Sequence, residues 1–287
     1  MQAVPNSSGT STPRFKVPAR SCDSHLHVYD PRFPMTWPQS RGTPDASVAD
    51  YRLLQQRLGT TRAIVVQPAA YGIDNRGIVA AVEQLGRDNA RGVAVLHPTV
   101  TDAELAALHA GGVRGLRFTQ HDPNTAVTSR EMIEPLAQRI AELGWHTQLH
   151  MRGEQLVEMT DLIARLPGTI VIDHMGRFPQ PEGVKHPAFN VVRSVLESGR
   201  GWVKLSGPYL ETRVGSPRYA DITAVARELV KLAPDRCVWG SDWPHPTERE
   251  TKPDDAVLLD LLQEWARDET TRRKILVDNP AILYGFQ

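Results

Sequence analysis

From Ser21 to the end of the chain, short runs rich in β-branched residues alternate with longer segments of helical periodicity. Such alternation is typical of parallel βα units. Eight runs are predicted strands: Cys22–Val28, Ala63–Gln67, Gly92–His97, Gly115–Phe118, Thr147–His150, Ile170–His174, Val203–Ser206 and Cys237–Ser241. The predicted helices that follow them are Ser47–Leu58, Asn75–Asp88, Asp102–Ala110, Ser129–Leu143, Gln155–Leu166, Pro187–Ser198, Tyr219–Leu232, Asp255–Ala266 and Glu269–Leu276.

Eight βα units without an internal repeat predict an α/β fold, a closed (β/α)8 TIM barrel in a single domain. A doubly wound open sheet is the alternative, but it usually carries a glycine-rich turn after the first strand. No glycine occurs between Ser21 and Ser40, which favours the barrel. We assign residues 19–287 to the barrel and residues 1–18, which are rich in Ser, Thr and Pro, to a short flexible N-terminal tail or a strap.

The composition indicates which classes of binding partner to expect. Lys plus Arg and Asp plus Glu both number 33, so no overall basic field is available for a nucleic acid or an anionic membrane surface. The apolar runs are strand-sized and the N-terminal residues lack the apolar segment of a secretory signal. Cys22 and Cys237 alone do not suggest a disulfide framework. We therefore expect a cytoplasmic protein with a small-molecule partner, no nucleic acid and no membrane, and we leave a homo-oligomer open.

Acidic and imidazole side chains gather where four of the predicted strands end. The first strand carries Asp23, His25 and His27, and the others end in His150, His174 and Asp242. Since catalytic groups of such barrels lie at the carboxyl ends of the strands, we expect these side chains at one mouth of the barrel.

Strand alternation places Asp23, His25 and His27 on one face, and closure of the barrel makes strand eight the neighbour of strand one. Asp242 is therefore predicted beside the two histidines, with Gly240 leaving room below it for a ligand or a close backbone. Converging imidazoles and a carboxylate suit Zn²⁺ or a similar divalent ion, and they also suit hydrogen bonding to a developing oxyanion without a metal.

Three motifs together carry a family resemblance: Asp23-Ser-His-Leu-His27, Val171-Ile-Asp-His-Met-Gly-Arg177 and Trp239-Gly-Ser-Asp-Trp-Pro-His245. They resemble the strand-one, strand-six and strand-eight motifs of the amidohydrolase superfamily. Within it they are similar to the branch of 2-pyrone-4,6-dicarboxylate lactonase and the galactarolactone enzymes. The similarity extends to Asp278-Asn-Pro-Ala-Ile-Leu-Tyr284 and so covers nearly all of the chain after the tail.

The resemblance implies roles for the strand-end residues. Asp242 is expected to activate water, with His174 as the next catalytic candidate. The candidate metal ligands are His25, His27, His150 and Asp242, which would hold one divalent ion, zinc being the expected one. Members of this branch also work without a metal, so a metal-free site stays open. A second metal is not expected, because strand four ends in Arg117-Phe118 and offers no lysine for a carboxylated bridge.

Four residues are the candidate substrate ligands. Arg117 would hold a substrate carboxylate through a two-pronged contact. Tyr209 and Arg213 lie in a segment that resembles the galactarolactone isomerase relatives, and Tyr71 is a further candidate. The remaining residues that we expect to wall the pocket are Trp37, Trp243 and His245.

These expectations favour a hydrolase that opens a small acidic lactone, either a pyrone dicarboxylate or a sugar-acid lactone, by Asp242-activated attack of water on the carbonyl. Two alternatives within the superfamily remain, a lactone isomerase and a metal-dependent decarboxylase. A binding protein that merely keeps the barrel would be favoured only if the histidines and Asp242 failed to converge.

Overall fold

The computed structural model describes residues 2–36, 45–122 and 126–287. In these ranges eight parallel strands form one sheet in chain order. The strands are β1 Cys22–Leu26, β2 Arg62–Val66, β3 Ala90–Ala94, β4 Val113–Thr119, β5 His146–His150, β6 Ile170–Ile172, β7 Gly201–Leu205 and β8 Cys237–Trp239. All eight correspond to predicted strands, with ends shifted by a few residues.

The sheet closes between β1 and the segment that follows β8. The backbone N–H of His27 donates to the carbonyl of Trp243 at 2.8 Å, and that of Asp242 donates to the carbonyl of His25 at 2.8 Å. These bonds satisfy the two edges that an open sheet would leave unpaired. The predicted single-domain (β/α)8 barrel is confirmed, and the open-sheet alternative is wrong.

The helices lie outside the barrel. They are α1 Val48–Leu58, α2 Arg76–Leu85, α3 Asp102–Ala110, α4 Arg130–Ala141, α5 Gly153–Glu158, α6 Thr160–Arg165, α7 Ala188–Glu197, α8 Ala220–Leu232, α9 Asp255–Asp260, α10 Leu262–Trp265, α11 Glu269–Arg273 and α12 Asn279–Tyr284. Two predicted helices are each divided in two, the first at Met159 and the second at Leu261. A π-helical turn, Lys274–Asp278, joins α11 to α12, and the sequence did not predict α12. None of the helices in the described ranges combines the length and apolar character needed to cross a membrane.

The two ends of the barrel differ in chemistry. At the amino ends of the strands, Tyr284 and Phe286 pack against Cys22, Ile64 and Val93, so α12 and the C-terminal residues cover that end with apolar side chains. Further along the strands, the buried side chains of His25, Arg117, Gln148 and Lys204 are polar or charged. The carboxyl end is therefore the end at which a reaction site can form.

Residues of the N-terminal segment contact the barrel. Val4 is 4% exposed, the carbonyl of Pro5 accepts from Nε1 of Trp243 at 2.9 Å, and the carbonyl of Gly9 accepts from Nη1 of Arg57 at 2.7 Å. The segment thus packs beside the junction of β1 and β8. The boundary at residue 18 stays a prediction.

Candidate active site

A cavity of about 190 Å³ opens at the carboxyl end of the barrel. The predicted site residues that line it are His27, Arg117, His150, His174 and Asp242. His25 lies beneath them, fully buried, with its ring centroid 4.7 Å from that of His174. A larger groove, of about 540 Å³, lies on the outside of the barrel between α2 and α3 and contains none of the predicted site residues.

A bulge in β1 decides which of its side chains reach the cavity. The pairing of β1 with β2 shifts between Asp23 and Leu26, and a bulge of this kind reverses the alternation of side chains along a strand. The prediction that Asp23 shares a face with the two histidines is wrong. Its carboxylate accepts from Oγ of Ser241 at 2.6 Å and from the Tyr51 hydroxyl of α1 at 3.2 Å, on the outer side of the barrel.

Asp23 is therefore a structural carboxylate that ties the start of β1 to the end of β8. Burial raises its pKa to about 6, although hydrogen bonds from Ser241 and from the His25 backbone oppose that effect. His25 and His27 follow the bulge and face the interior.

Asp242 lies at the centre of the cluster. Its Oδ1 atom is 3.5 Å from Nε2 of His25 and 3.5 Å from Nε2 of His27. Burial alone would raise the pKa of the Asp242 carboxyl, but the imidazoles of His174, His27 and His25 outweigh it and hold that pKa well below its usual value. Asp242 is therefore ionised at neutral pH and can accept a proton.

The backbone of Asp242 is in the left-handed region, with φ 63°. His174, Met175 and Arg177, which follow β6, also have positive φ angles of 48°, 56° and 45°. Such conformations are unfavourable for residues other than glycine and cluster at functional sites. The segments that supply Asp242 and His174 thus both depart from ordinary backbone geometry.

The hydrogen bond of His27 fixes which of its nitrogens faces Asp242. Nδ1 lies 2.9 Å from the carbonyl of Val66, which can only accept, so Nδ1 carries the proton. Nε2, on the other side of the ring, lies 3.5 Å from Oδ1 of Asp242.

A second group of polar residues surrounds His174. Asp173 is fully buried, and its Oδ2 accepts from Nε of Arg117 at 2.9 Å and from Nε2 of Gln148 at 3.0 Å. Burial opposes ionisation of Asp173, but Arg117, His25 and Lys204 together hold its pKa well below the usual value. Nη2 of Arg117 lies 3.5 Å from Nε2 of His174, so Arg117 is held through Nε and Nη2, and Nη1 faces neither of these partners.

Lys204 is an unexpected cation inside the barrel. It is fully buried on β7, and its Nζ lies 3.3 Å from Nδ1 of His25 and 3.8 Å from Oδ1 of Asp173. Burial lowers the pKa of Lys204 to about 8. Burial and the charge of Lys204 also lower the pKa of His25 well below its usual value, so His25 is neutral.

His174 and His150 are also neutral. Burial lowers the pKa of His174 to about 4, and burial, Arg117 and His174 place that of His150 well below its usual value. Nδ1 of His174 lies 2.9 Å from the Ser206 hydroxyl. Nε2 of His150 lies 3.4 Å from Nη1 of Arg177. Nε of the same arginine donates to Oε1 of Glu211 at 2.8 Å.

The sequence analysis did not single out Asp173, Lys204 or Arg177 as site residues, although Asp173 and Arg177 stand inside a quoted motif. The sequence did contain a signal for Lys204, which follows Trp202 by two residues in a buried strand. Because side chains alternate between the two faces of a strand, Trp202 and Lys204 share one face. Arg177 and Arg249 line the cavity together with Arg117, so three guanidinium groups surround it.

The other predicted substrate ligands lie elsewhere. The Tyr209 hydroxyl donates to Oδ2 of Asp242 at 2.7 Å, so it contacts the carboxylate of Asp242. Arg213 is exposed and does not line the cavity. Tyr71 is buried, and its hydroxyl bonds to the backbone of Asp30.

Of the residues expected to wall the pocket, neither Trp243 nor His245 lines the cavity. Both are fully buried, Trp243 beneath the N-terminal segment and His245 behind Tyr209. Trp37 lies outside the described residues.

The donor set fits a divalent cation. Two groups of buried side chains place their ligand atoms within 4.8 Å of one another: His25, His174 and Asp242, and His150, Asp173 and His174. Nε2 of His25 makes no hydrogen bond to the described residues, and Nε2 of His27 lies 3.5 Å from the Asp242 carboxylate. Neutral imidazoles with an ionised carboxylate are ligands that zinc prefers. The predicted ligand His27 contacts Asp242, whereas His150 belongs to the second group.

Comparisons with known proteins agree with this geometry. A family model described as amidohydrolase matches residues 22–286. The chain is 39% identical to a 2-pyrone-4,6-dicarboxylate hydrolase of Comamonas testosteroni, over 96% of this chain and 93% of the relative. It is 38% identical to a 4-sulfomuconolactone hydrolase of Rhizobium radiobacter, over 94% and 92% of the two chains.

A D-galactarolactone isomerase of Agrobacterium fabrum is 32% identical, over 96% of this chain and 94% of the relative. Among solved structures, an Agrobacterium tumefaciens protein crystallised in the apo state superposes with a TM-score of 0.89 at 30% identity. That match covers 98% of this chain and 99% of the crystallised one. The similarity therefore extends over the whole barrel.

Proposed function

The chain belongs to the amidohydrolase family, and we propose that it hydrolyses a small acidic lactone. One observation carries this proposal: an ionised Asp242 faces Nε2 of His27 across 3.5 Å, inside a cavity lined by three arginines. Two relatives named as hydrolases of anionic lactones, at 39% and 38% identity, support the choice of substrate class.

The reaction begins with a water molecule between Asp242 and His27. One of its hydrogens points to Oδ1 of Asp242 and the other to Nε2 of His27, which orients a lone pair of the water toward the cavity. Asp242 takes a proton as the oxygen of the water attacks the lactone carbonyl. A positioned base of this kind typically contributes about 10²–10⁴ in rate.

The carbonyl oxygen gains negative charge as the tetrahedral intermediate forms. His174 can donate to it from Nε2 when the Ser206 hydroxyl, 2.9 Å from Nδ1, donates to Nδ1 and Nη2 of Arg117, 3.5 Å from Nε2, turns to the substrate carboxylate. The ester C–O bond of the ring then breaks, and the protonated Asp242 returns its proton to the leaving alkoxide or enolate. The product is the open hydroxy acid or its keto form, and the carboxylate of Asp242 is regenerated.

Substrate charge is matched by the arginines. Arg117 is held by Asp173 through Nε, which leaves other N–H groups for a substrate carboxylate in planar, two-pronged geometry. Arg177 and Arg249 lie on the same cavity, so an anionic lactone is favoured over a neutral one.

When a divalent ion is bound, His25, His174 and Asp242 are the residues that would hold it, and the chemistry that it supplies is polarisation of the carbonyl as a Lewis acid. We propose zinc as that ion, since two of these three residues offer an imidazole nitrogen and the third a carboxylate oxygen.

Lactone isomerisation is the second candidate, because a relative at 32% identity is named a D-galactarolactone isomerase. In that reaction the attacking oxygen belongs to a substrate hydroxyl instead of water, and Asp242 shuttles the same proton. The two reactions differ in net chemistry: hydrolysis releases a new carboxylic acid, whereas isomerisation does not.

The deciding experiment is a screen of purified protein against 2-pyrone-4,6-dicarboxylate, a galactarolactone and a neutral sugar lactone, with and without a chelator. Proton release measured with a pH indicator reports hydrolysis, and NMR reports isomerisation. We expect hydrolysis of an acidic lactone and weak activity on the neutral one. Conversion of lactones without proton release would establish the isomerase instead, and elemental analysis of the same preparation measures bound metal.

A further inference from the structure

We infer that Tyr209, His245 and Asp255 form a chain of positioning residues that holds one oxygen of Asp242 and leaves the other free to accept the proton of water. This inference rests on the proposed function only in taking Asp242 as the base. None of the three residues lines the cavity, so their contribution would act through Asp242.

The contacts run in one line from the cavity into the protein. The Tyr209 hydroxyl lies 2.7 Å from Oδ2 of Asp242 and 2.9 Å from Nδ1 of His245. On the other side of the imidazole ring, Nε2 of His245 lies 3.2 Å from Oδ2 of Asp255. His245 and Asp255 are both fully buried.

The direction of the hydrogen bonds follows from the chemistry of the end groups. An ionised carboxylate can only accept, so the single hydroxyl proton of Tyr209 goes to Asp242. The oxygen of Tyr209 then accepts from Nδ1 of His245. Burial and the negative charge of Asp242 raise the pKa of Tyr209 well above its usual value, so the hydroxyl keeps this proton.

The chain makes the two oxygens of Asp242 different. Oδ2 is occupied by Tyr209, whereas Oδ1 faces Nε2 of His25 and Nε2 of His27 at 3.5 Å each. Water bound between Asp242 and His27 therefore meets Oδ1 alone. A carboxylate without this anchor could rotate about its Cβ–Cγ bond, and a misplacement of about 1 Å can cost about 10² in rate.

The far end of the chain is anchored from outside the barrel. Asp255 begins α9, its backbone N–H donates to Oγ of Ser7 at 3.3 Å, and Nη2 of Arg57 lies 4.0 Å from its Oδ2. Arg57 in turn donates to the carbonyl of Gly9 at 2.7 Å. The N-terminal segment and α1 thus fix Asp255, and Asp255 fixes the ring of His245.

The test compares Tyr209→Phe with Tyr219→Phe, a buried tyrosine outside the chain. With the lactone that the wild type hydrolyses, we expect Tyr209→Phe to lower kcat about 10- to 100-fold, as loss of a supporting hydrogen bond typically does, and to change KM less than about threefold. Tyr219→Phe should keep wild-type values.

A loss confined to KM would instead make Tyr209 a substrate ligand, and an unchanged kcat would overturn the inference.

A readout without substrate separates this inference from the proposed function. Crystal structures of the wild type and of Tyr209→Phe should show the Asp242 carboxylate ordered in the first and rotated or in two orientations in the second. An unmoved carboxylate would contradict the inference, whatever lactones the protein accepts.

A second pair of variants covers the case in which Tyr209→Phe does not fold. Asp255→Asn removes the charge that pairs with His245, whereas Asp254→Asn makes the same change one residue earlier and keeps an oxygen for the N–H of Ala256 that Asp254 caps. We expect kcat to fall at least fivefold more in Asp255→Asn than in Asp254→Asn. Equal losses of kcat in the two variants would overturn the inference that Asp255 helps to position Asp242.

Discussion

The backbone of Gly240 lies directly against His25. A Cβ atom added to Gly240 would be 2.6 Å from the Cβ of His25 and 2.8 Å from its backbone nitrogen. Both partners are rigid, because His25 belongs to β1 and is fully buried. The absence of a side chain at position 240 is therefore what allows β8 to approach β1 closely enough to place Asp242 beside the histidines.

We predict that Gly240→Ala destabilises the protein by about 1–3 kcal/mol, the usual cost of forcing an extra methyl group into a packed interior. Since His25 must move, kcat should also fall. The control is Gly77→Ala in α2, where an added Cβ would be 3.5 Å from the nearest atom, a side-chain carbon of Phe33, and where alanine favours the helix. Thermal melting and turnover of both variants measure the difference. Equal melting temperatures for the two would contradict the prediction.

The pH dependence of stability should be dominated by buried imidazoles. Burial and the charge of Lys204 lower the pKa of His146 to about 3, and burial lowers that of His174 to about 4. Each ring binds a proton more readily in the unfolded chain, where its pKa is about 6.5. The stability that they contribute is therefore complete above pH 6.5 and is lost as the pH falls toward 4 and then 3.

His146→Leu isolates the contribution of one buried imidazole to the pH dependence of stability, because His146 lies at the amino end of β5 against Tyr284, away from the cavity. Between pH 7 and pH 5 the wild type should lose about 2 kcal/mol through this residue, and the variant should not. Urea unfolding at the two pH values measures it. The partly exposed His97→Gln should retain the wild-type dependence, and a variant with undiminished acid sensitivity would show that His146 contributes nothing.

Recognition of a substrate carboxylate is assigned to Arg117, and Arg213 provides a matched control. Arg117 lines the cavity, whereas Arg213 is exposed and does not line it. We expect Arg117→Met to raise KM for an acidic lactone at least tenfold, the equivalent of about 1.4 kcal/mol for a lost charge-assisted contact. Arg213→Met should leave KM within twofold of the wild type. The opposite pattern would return Arg213 to the role that the sequence suggested for it.

Arg117 also compensates the buried charge of Asp173, so the Met variant leaves that carboxylate without its 2.9 Å partner. Arg117→Met should therefore melt at a lower temperature than Arg213→Met. Arg117→Lys keeps a positive charge but loses the two-pronged geometry. It should restore stability in part while KM for the acidic lactone stays high.

The sequence was sufficient to predict the barrel and those site residues that regular strands supply. Eight periodic runs located all eight strands, and the position of β8 beside β1 followed from closure alone. His25 and Asp242 could thus be brought together across more than 200 residues of chain. The strand period failed at Asp23, because the bulge between Asp23 and Leu26 leaves no mark in the spacing of polar and apolar residues.

Loop residues were harder to predict for a different reason. Tyr209 and Arg213 are four positions apart after β7, yet one reaches Asp242 and the other faces solvent. The path of that loop depends on contacts with residues distant in sequence, such as the bond from Thr212 to Asp221 and that from Tyr209 to His245. No local periodicity reports such contacts. The same holds for Arg177, whose guanidinium is directed by Glu211.

The most direct test of the proposed reaction is Asp242→Asn, which keeps the shape of the side chain and removes its charge and basicity. The backbone N–H of Asp242 still bonds to His25, and Tyr209 can still donate to the amide oxygen, so the barrel should close as before. Turnover of the lactone should fall by about 10²–10⁴, while KM changes much less, because the lost group acts on water and not on the bound lactone.

Three measurements on one preparation make the outcome interpretable. Circular dichroism and the melting temperature establish that Asp242→Asn is folded, and elemental analysis establishes whether it has lost a metal that the wild type holds. A folded variant with wild-type metal content and low kcat identifies Asp242 as the base. If kcat stays near the wild-type value, the base lies elsewhere, and His174→Gln becomes the next variant to examine, since His174 lines the cavity and its ring centroid lies 4.7 Å from that of His25. If the metal is lost together with activity, titration with zinc decides whether Asp242 acts as a metal ligand or as the base. Recovery of turnover at saturating zinc would show that Asp242 serves mainly as a ligand. A variant that is metal-replete but inactive would identify Asp242 as the group that takes the proton from water.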